Sequence, residues 1–232
     1  MYFEALNGGK VNDSVVTNFV ELSKRMNFEE SWVQAFLDSM EMDTRKSDYE
    51  NLDELNKYLY GSAEVIGLMM NRVMKIDDRA DESAQYLGKA MQFINFIRDI
   101  DEDLDLNRTY FPKDSMAKFG LTGLTRGDAR RKPEEFKKFV RSQIDVYFEW
   151  QMKAELGFKY IPKRLRVAVK TASDMYLWTA TEIYKNPFIV YDTQIKPTWH
   201  KVLLNGVKNL FTVYLSFGNG TRKLPQATSL HQ

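Results

Sequence analysis

Apolar residues recur at helical spacing along most of this chain, and this periodicity is the feature that most restricts its fold. Leu55, Leu59, Ala63 and Ile66, for example, follow one another every three or four residues, as one face of an amphipathic helix does. Alternating, strand-like patterns are scarce. The periodicity predicts an all-α fold of six or seven helices, at about 16–26, 32–40, 52–74, 82–106, 134–156, 161–184 and 197–217.

Length and composition support one domain and exclude several kinds of site. A chain of 232 residues can bury one sizeable core, so we expect a single domain over residues 1–232, with a flexible polar tail at 218–232. Lys plus Arg number 33 and Asp plus Glu 32, so the net charge does not predict nucleic-acid binding. With no cysteine and only two histidines, His200 and His231, thiolate sites are excluded and a histidine-based metal site is not expected.

The chain also shows no sign of membrane insertion or export. It has no apolar run of the roughly 18 residues that a membrane-spanning helix needs. Its first residues lack the basic-then-apolar layout of a signal peptide. We therefore expect a cytoplasmic protein.

The most informative segment is an acidic cluster near the end of the predicted helix 82–106. Five acids occupy residues 99–105, and Asp99 and Asp103 are four apart, so their side chains share one helix face. Gln92 and Asn95 continue this face between apolar neighbours.

This arrangement is unfavourable for a helix without a bound cation. Like charges at this spacing destabilise a helix by roughly 0.2–0.5 kcal/mol, and acids near its C-terminus oppose the helix dipole by about 0.3–1 kcal/mol each. A bound cation would relieve both penalties. Mg²⁺ suits these ligands because it binds oxygen atoms and is commonly held by one or two carboxylates together with substrate phosphates.

A solvated acidic patch is the competing interpretation. Arg98 and Arg108 are close enough in sequence to pair with some of the acids, and isolated acidic runs are usually exposed. The apolar, amide-bearing helix that leads into the cluster and the Asn-Arg-Thr-Tyr stretch at 107–110 favour a functional site instead.

Three segments, in the same order and spacing, resemble signatures of the squalene/phytoene synthase family. QFINFIRDIDEDLDLNRTYFP (residues 92–112) resembles its Gln, Asn and Arg-Asp-x-x-x-Asp run with an Arg-x-Tyr-hydrophobic-Pro ending. LDSMEMDTRKSDY (37–49) resembles its D-G-M-x-M-D segment, with Ser39 in place of the usual glycine. ELNKYLYGSAEVIGLMM (54–70) resembles its Y-x-Y-G-x-A helix. The resemblance covers roughly residues 16–186.

The resemblance implies an isoprenoid-synthase-like helical bundle around a central cavity, and a magnesium-dependent prenyltransferase of carotenoid or isoprenoid biosynthesis. Such enzymes join two farnesyl or geranylgeranyl diphosphates head-to-head through a cyclopropyl diphosphate intermediate, which gives squalene or phytoene. Squalene formation would also need NADPH. No Gly-rich strand-to-helix dinucleotide fingerprint is found here, so we slightly favour phytoene.

The resemblance also implies roles for individual residues. Asp99 and Asp103 would bind Mg²⁺ and act in catalysis, and Tyr58 and Tyr176 would face the cavity as further catalytic residues. The residues implied in substrate binding would line the same wall or close its polar end: Gln92, Asn95, Arg98, Arg108 and Tyr110.

Other features have more ordinary interpretations. Asp77, Asp78 and Asp81 spell the DDxxD box of many prenyltransferases, but they precede a helix, where aspartate favours capping. Gly61 and Gly67 are expected to let helices approach closely. A C-terminal stripe fits either peripheral contact with a membrane or, as we favour, core packing: Leu203, Leu204, Val207, Leu210, Phe211 and Tyr214.

One family feature is not found in the sequence. Members carry a first aspartate motif on an early helix, whereas residues before Leu37 offer no two acids at i,i+4 on an apolar helix. We therefore expect an N-terminally shortened chain with weak or no complete head-to-head activity.

Two other functions remain open from the sequence. One is a catalytically incomplete relative that acts as a helical lipid-binding or assembly subunit. The other is a plain helical interaction domain whose acidic patch binds a basic partner. Substrate chain length and oligomeric state are not predicted.

Overall fold

A computed structural model describes residues 1–192 and 195–215, and every regular element within them is helical. The all-α prediction is confirmed. The predicted tail at 218–232, with His231, lies outside the described residues. The α-helices of the described part are α1 (Tyr2–Leu6), α2 (Ser14–Met26), α3 (Glu30–Arg45), α4 (Leu52–Leu59), α5 (Val65–Val73), α6 (Asp81–Arg98), α7 (Ile100–Asp105), α8 (Lys113–Ala117), α9 (Arg126–Arg131), α10 (Pro133–Glu155), α11 (Lys163–Lys185) and α12 (Trp199–Leu215).

The main core lies between α6, α10 and α11, with α4 and the segment around residue 110 closing one end. Phe93 and Ile97 of α6, Phe139 and Ile144 of α10, and Ile183 of α11 are almost completely buried. Burial of each such side chain stabilises the fold by roughly 1.5–3 kcal/mol. A second apolar cluster joins α1, α2, α3 and α5 around Trp32 and Val65.

The predicted long helix over 52–74 is continuous but contains one wider turn. Residues Tyr60–Glu64 between α4 and α5 form a π-helical turn, which inserts one extra residue per turn and often occurs near functional sites. Gly61 lies in this turn against α3, where an added Cβ would come within 2.0 Å of the Ala35 carbonyl oxygen. The packing role predicted for Gly61 is therefore confirmed.

The loop predicted around residues 122–133 contains the short helix α9. Thr125 and Asp128 form a capping box, in which each side chain accepts a hydrogen bond from the backbone N–H of the other. This Thr-x-x-Asp signal is present in the sequence, but it was outweighed by the flanking glycines, charges and Pro133.

Helix α12 differs from expectation in its orientation. Its apolar stripe, for which core packing was favoured, is exposed along its whole length. The helix contacts α11 through Asn209 and Val213, which are buried. No helix in the described part of the chain is both long enough and apolar enough to cross a membrane.

Candidate functional site

The predicted carboxylate helix is two helices rather than one. Helix α6 ends at Arg98, Asp99 has φ −99° and ψ 19°, and α7 begins at Ile100, so the prediction of a single helix to residue 106 is wrong. The Asp99 N–H still donates to the Asn95 carbonyl (2.8 Å), and the Asp103 N–H donates to the Asp99 carbonyl (2.8 Å). The four-residue spacing therefore still places Asp99 and Asp103 on neighbouring turns.

Asp99 forms an ion pair with Arg98, its neighbour in the sequence. Arg98 donates from Nε to Asp99 Oδ1 at 2.7 Å and from Nη2 to Oδ2 at 2.5 Å, and both side chains are largely shielded from solvent. This bidentate pair raises the pKa of Arg98, although burial of the guanidinium opposes the shift. Arg98, predicted as a substrate-binding residue, thus neutralises one of the two predicted metal ligands.

Asp103 is the carboxylate of the pair whose charged form is disfavoured. Burial, together with the charges of Asp99 and Glu102, raises its pKa from the usual acidic range to about 7. Arg108 and Arg98 lower it, but incompletely. A carboxylate in this position is stabilised by gaining either a proton or a cation.

A tyrosine cluster centred on Asp43 lies beside these carboxylates. The Tyr58 hydroxyl donates to Asp43 Oδ2 (3.0 Å), the Tyr110 hydroxyl reaches Oδ1 (3.5 Å), and Arg108 Nη2 donates to the Asp43 carbonyl (3.1 Å). The Tyr110 ring stacks on Phe96 of α6 at a centroid distance of 4.0 Å. The structure thus brings together three of the predicted residues, Tyr58, Arg108 and Tyr110.

The cluster keeps its phenols neutral. Burial raises the pKa of Tyr58 far above its usual value, and Tyr110 and Asp43 add to the shift. Tyr58 is consequently a hydrogen-bond donor and not a base at neutral pH. Asp43 organises this cluster but was not among the residues predicted from sequence, although it ends the LDSMEMD segment that carries part of the resemblance.

The remaining predicted residues line the neighbouring face. Gln92 and Asn95 are partly buried on α6, and Asn95 Oδ1 is enclosed without a hydrogen-bond partner. Tyr176 of α11 is partly buried and lies close enough to Arg98 to affect its pKa. Tyr58 and Tyr176 therefore lie near the carboxylate end, and neither is among the residues that line an apolar cavity beside α5 and α6.

That cavity has a volume of about 270 Å³ and is lined almost entirely by apolar and small side chains. Helices α5, α6 and α11 form it together with the end of α10 and the turn Leu156–Tyr160. Its walls include Ile66, Met70, Leu87, Gly88, Met91 and Val169. Gly88 and Met91 belong to the same helix as Asn95, and Asp99 follows directly after its last residue, so the cavity wall and the polar cluster succeed one another along α6.

The DDxxD sequence has a structural role, as predicted. Asp77 accepts a hydrogen bond from the Arg79 N–H (2.9 Å) and pairs with the Arg79 side chain, which lowers its pKa to about 2. Arg72 pairs with both Asp78 (3.0 Å) and Asp81 (2.7 Å). Asp77 therefore caps the turn before α6, while Asp78 and Asp81 are ion-paired with Arg72 and no side chain caps α6 itself.

The donor set around Asp99 and Asp103 fits a hard divalent cation that is shared with a ligand. Within residues 1–192 and 195–215, no three acidic or histidine side chains converge into a metal site made by protein alone. Two carboxylates and an unpaired amide oxygen would leave other positions to water and phosphate, which is the usual coordination of Mg²⁺.

Comparison with known proteins adds an independent observation. A sequence model described as Squalene/phytoene synthase matches residues 3–202. A chloroplastic phytoene synthase from an Oncidium hybrid cultivar is 32% identical over 161 residues, which cover 66% of this chain and 38% of that protein. The phytoene synthase of Arthrospira platensis is 31% identical over 191 residues, covering 74% and 61%. The chain thus spans only part of the length of these curated relatives.

Solved structures show the same fold. A squalene synthase from Alicyclobacillus acidocaldarius superposes with a TM-score of 0.70 at 21% sequence identity. The superposed part is 81% of this chain and 71% of the squalene synthase chain. A dehydrosqualene synthase in complex with ligand superposes with a TM-score of 0.75 at 19% sequence identity, over 90% of this chain and 74% of the dehydrosqualene synthase chain.

Proposed function

Because the chain belongs to the squalene/phytoene synthase family, we propose that it binds prenyl diphosphates and acts in their head-to-head condensation to phytoene or squalene. One observation carries the proposal: along α6, an apolar cavity wall at Gly88 and Met91 continues into polar groups at Asn95 and Asp99. From Gly88 to Asp99 the helix rises by about 16 Å. A ligand with an apolar chain and an anionic head matches this change of polarity.

The head of the substrate would lie at Asp99 and Asp103, which would hold Mg²⁺ between the protein and the diphosphate. A Mg²⁺ ion held by these two carboxylates would supply positive charge to stabilise the departing diphosphate. Displacement of the Arg98 guanidinium from Asp99 would leave its donors free for a phosphate oxygen, and Arg108 lies close enough to Asp103 to lower its pKa.

The reaction breaks the allylic C–O bond of one substrate, and the bonding electrons leave with the diphosphate. The double bond of the second substrate then forms a new C–C bond to the allylic cation, and loss of one proton, which the released diphosphate would accept, closes a cyclopropane ring. The apolar cavity would keep water away from this cation. Tyr58 and Tyr110, as neutral phenols fixed by Asp43, would orient polar groups at the mouth without removing a proton themselves.

Product analysis tests the proposal. The chain is incubated with geranylgeranyl or farnesyl diphosphate and Mg²⁺, with and without NADPH, and lipid products and released pyrophosphate are measured. Formation of phytoene, or of squalene with NADPH, that is lost in Asp103→Asn supports it. Absence of both product and prenyl diphosphate binding contradicts it.

The second candidate is a family member that binds the diphosphate but does not complete condensation. It is favoured by the small ligand set, since in the described part of the chain no three acidic or histidine side chains converge to hold a metal. In that case prenyl diphosphate binds in a Mg²⁺-dependent manner while no condensed product forms, so the same experiment separates the two functions.

A further inference from the structure

Helix α12 turns its apolar face away from the protein. Its stripe residues are between 45% and 71% exposed: Leu203, Leu204, Val207, Leu210, Phe211 and Tyr214. The side that contacts the protein is mixed instead: Val213 is buried, and Asn209, which is 1% exposed, donates to Asp174 Oδ2 (2.8 Å) and Thr171 Oγ1 (3.2 Å) of α11. This orientation is the reverse of that in an ordinary surface helix, and a continuous apolar face of this size indicates a binding surface.

Positive charge is concentrated beside this face. Residues 195–215 include Lys196, Lys201 and Lys208 and contain no acid. The neighbouring first half of α11 adds Lys163, Arg164 and Arg166, and Lys163 lies over the ring of Tyr214 on α12; the next cation, Lys170, is paired with Asp174. Because the whole chain has a net charge of only +1, this excess is local and must be balanced by acids elsewhere.

We propose that α12 is an interfacial helix that seats the protein on an anionic lipid bilayer, with its stripe at the boundary between headgroups and acyl chains. Amphipathic helices with lysines on the polar flank and Trp, Phe and Leu on the apolar side bind such surfaces. Trp199 and Tyr214, near the two ends of the helix, carry rings that suit the headgroup level.

The charges also distinguish the bilayer from a second copy of the chain. If two copies packed through their α12 faces, Lys201 and Lys208 of each would approach those of the other, and α12 has no carboxylate to compensate. Lipid phosphates supply the opposite charge. The bilayer therefore satisfies both the apolar stripe and its basic flank.

The position of α12 connects the membrane to the cavity. Helix α11 holds α12 through Thr171 and Asp174, and its Val169 and Ala172 line the apolar cavity. Only one helix therefore separates the lipid-facing stripe from the cavity, an arrangement that suits the exchange of an apolar ligand with the bilayer.

Vesicle co-sedimentation of the whole chain tests this inference. We expect binding to phosphatidylcholine vesicles that contain phosphatidylglycerol, much weaker binding to pure phosphatidylcholine, and weakening at high salt. Leu204→Ser combined with Phe211→Ser, both at exposed positions, should reduce binding by about tenfold or more. Lys208→Glu should reduce it by about fivefold or more.

Val15→Ser is the matched control, because Val15 is a 77% exposed apolar residue on α2, far from α12 in sequence. This variant should bind vesicles as the unmodified chain does. The inference would be overturned if the Leu204→Ser/Phe211→Ser variant bound vesicles as well as the unmodified chain. It would also be overturned if the unmodified chain did not bind them. A dimer in light scattering that this variant dissociates would assign the face to a second copy. The Asp99→Asn/Asp103→Asn variant should still bind vesicles, so this inference and the proposed function can fail separately.

Discussion

Asp103 lies in the carboxylate cluster where burial, with the charges of Asp99 and Glu102, raises its pKa to about 7. In the unfolded chain an aspartate titrates near 3.9. The folded state therefore binds the proton more tightly, and the resulting stabilisation is complete below the unfolded pKa and disappears as the pH rises through about 7. Above that pH, a metal ion can take the place of the proton.

The pH dependence of stability provides the first prediction. In EDTA, the unfolding free energy of the unmodified chain minus that of Asp103→Asn should be about 1 kcal/mol larger at pH 6 than at pH 8. Saturating Mg²⁺ should stabilise the unmodified chain at pH 8 but not the variant. Urea unfolding measures both effects. Identical pH profiles for the two proteins in EDTA would show that Asp103 is an ordinary solvated acid.

Asp43 provides a second prediction at the residue scale. Asp43→Ala removes the acceptor for the hydroxyls of Tyr58 and Tyr110, and both tyrosines are buried. The variant should lose about 1–3 kcal/mol of unfolding free energy, because buried hydroxyls are left without partners. Asp38→Asn, at an exposed position of the same helix α3, is the control and should change stability little. Equal effects of the two substitutions would contradict a structural role for the cluster.

The four-residue spacing predicts that Asp99, Asp103, Gln92 and Asn95 share one helix face, and the structure places them on α6, at its C-cap and on α7. The spacing does not predict Asp43. Asp43 meets Tyr110 across 67 residues, and such a tertiary contact has no local signal. Its only trace was its place in a segment that resembles a family signature.

At the level of elements, the crossing of α5 over α6 depends on glycine. An added Cβ at Gly67 would lie 2.2 Å from the Ala84 carbonyl oxygen, and one at Gly88 would lie 2.3 Å from that of Ala63. Both obstacles are backbone atoms, so the helices would have to separate. The predicted packing role of Gly67 is thereby confirmed, and the same close approach shapes the cavity wall.

The third prediction tests this crossing. Gly67→Ala should destabilise the protein by about 1–3 kcal/mol through overpacking. Gly127→Ala is the matched control: Gly127 is exposed in α9, its Cβ would meet only Thr125 Oγ1 at 3.7 Å, and alanine favours a helix. Thermal unfolding compares the two. If Gly67→Ala were as stable as Gly127→Ala, α5 and α6 would not be in backbone contact.

The elements show where periodicity is informative and where it is not. It placed all the long helices, because their apolar stripes are strong. Periodicity did not predict the end of α6 before Asp99, because no Gly or Pro occurs there. It also could not tell which side of α12 faces the protein: the stripe of Leu203 and its neighbours fixes an apolar face, whereas the Asn209–Asp174 hydrogen bond to α11 fixes the orientation.

At the scale of the whole molecule, the helical bundle and family predicted from three short segments are confirmed. The chain has nearly equal numbers of acids and bases, yet they are arranged unevenly: carboxylates gather at the end of α6, and cations gather along α11 and α12. Composition alone hides this separation. The proposed metal–diphosphate site and the proposed lipid surface both rest on this separation of charge.

The central claim is that Asp99 and Asp103 bind a divalent metal that in turn binds diphosphate, and titration calorimetry with inorganic pyrophosphate tests it most directly. We predict binding in Mg²⁺ but not in EDTA, weakened about 100-fold or more in Asp99→Asn/Asp103→Asn and unchanged in Asp77→Asn/Asp78→Asn, which alters the neighbouring DDxxD acids. Binding that is independent of Mg²⁺, or equal in the two double variants, would contradict the claim.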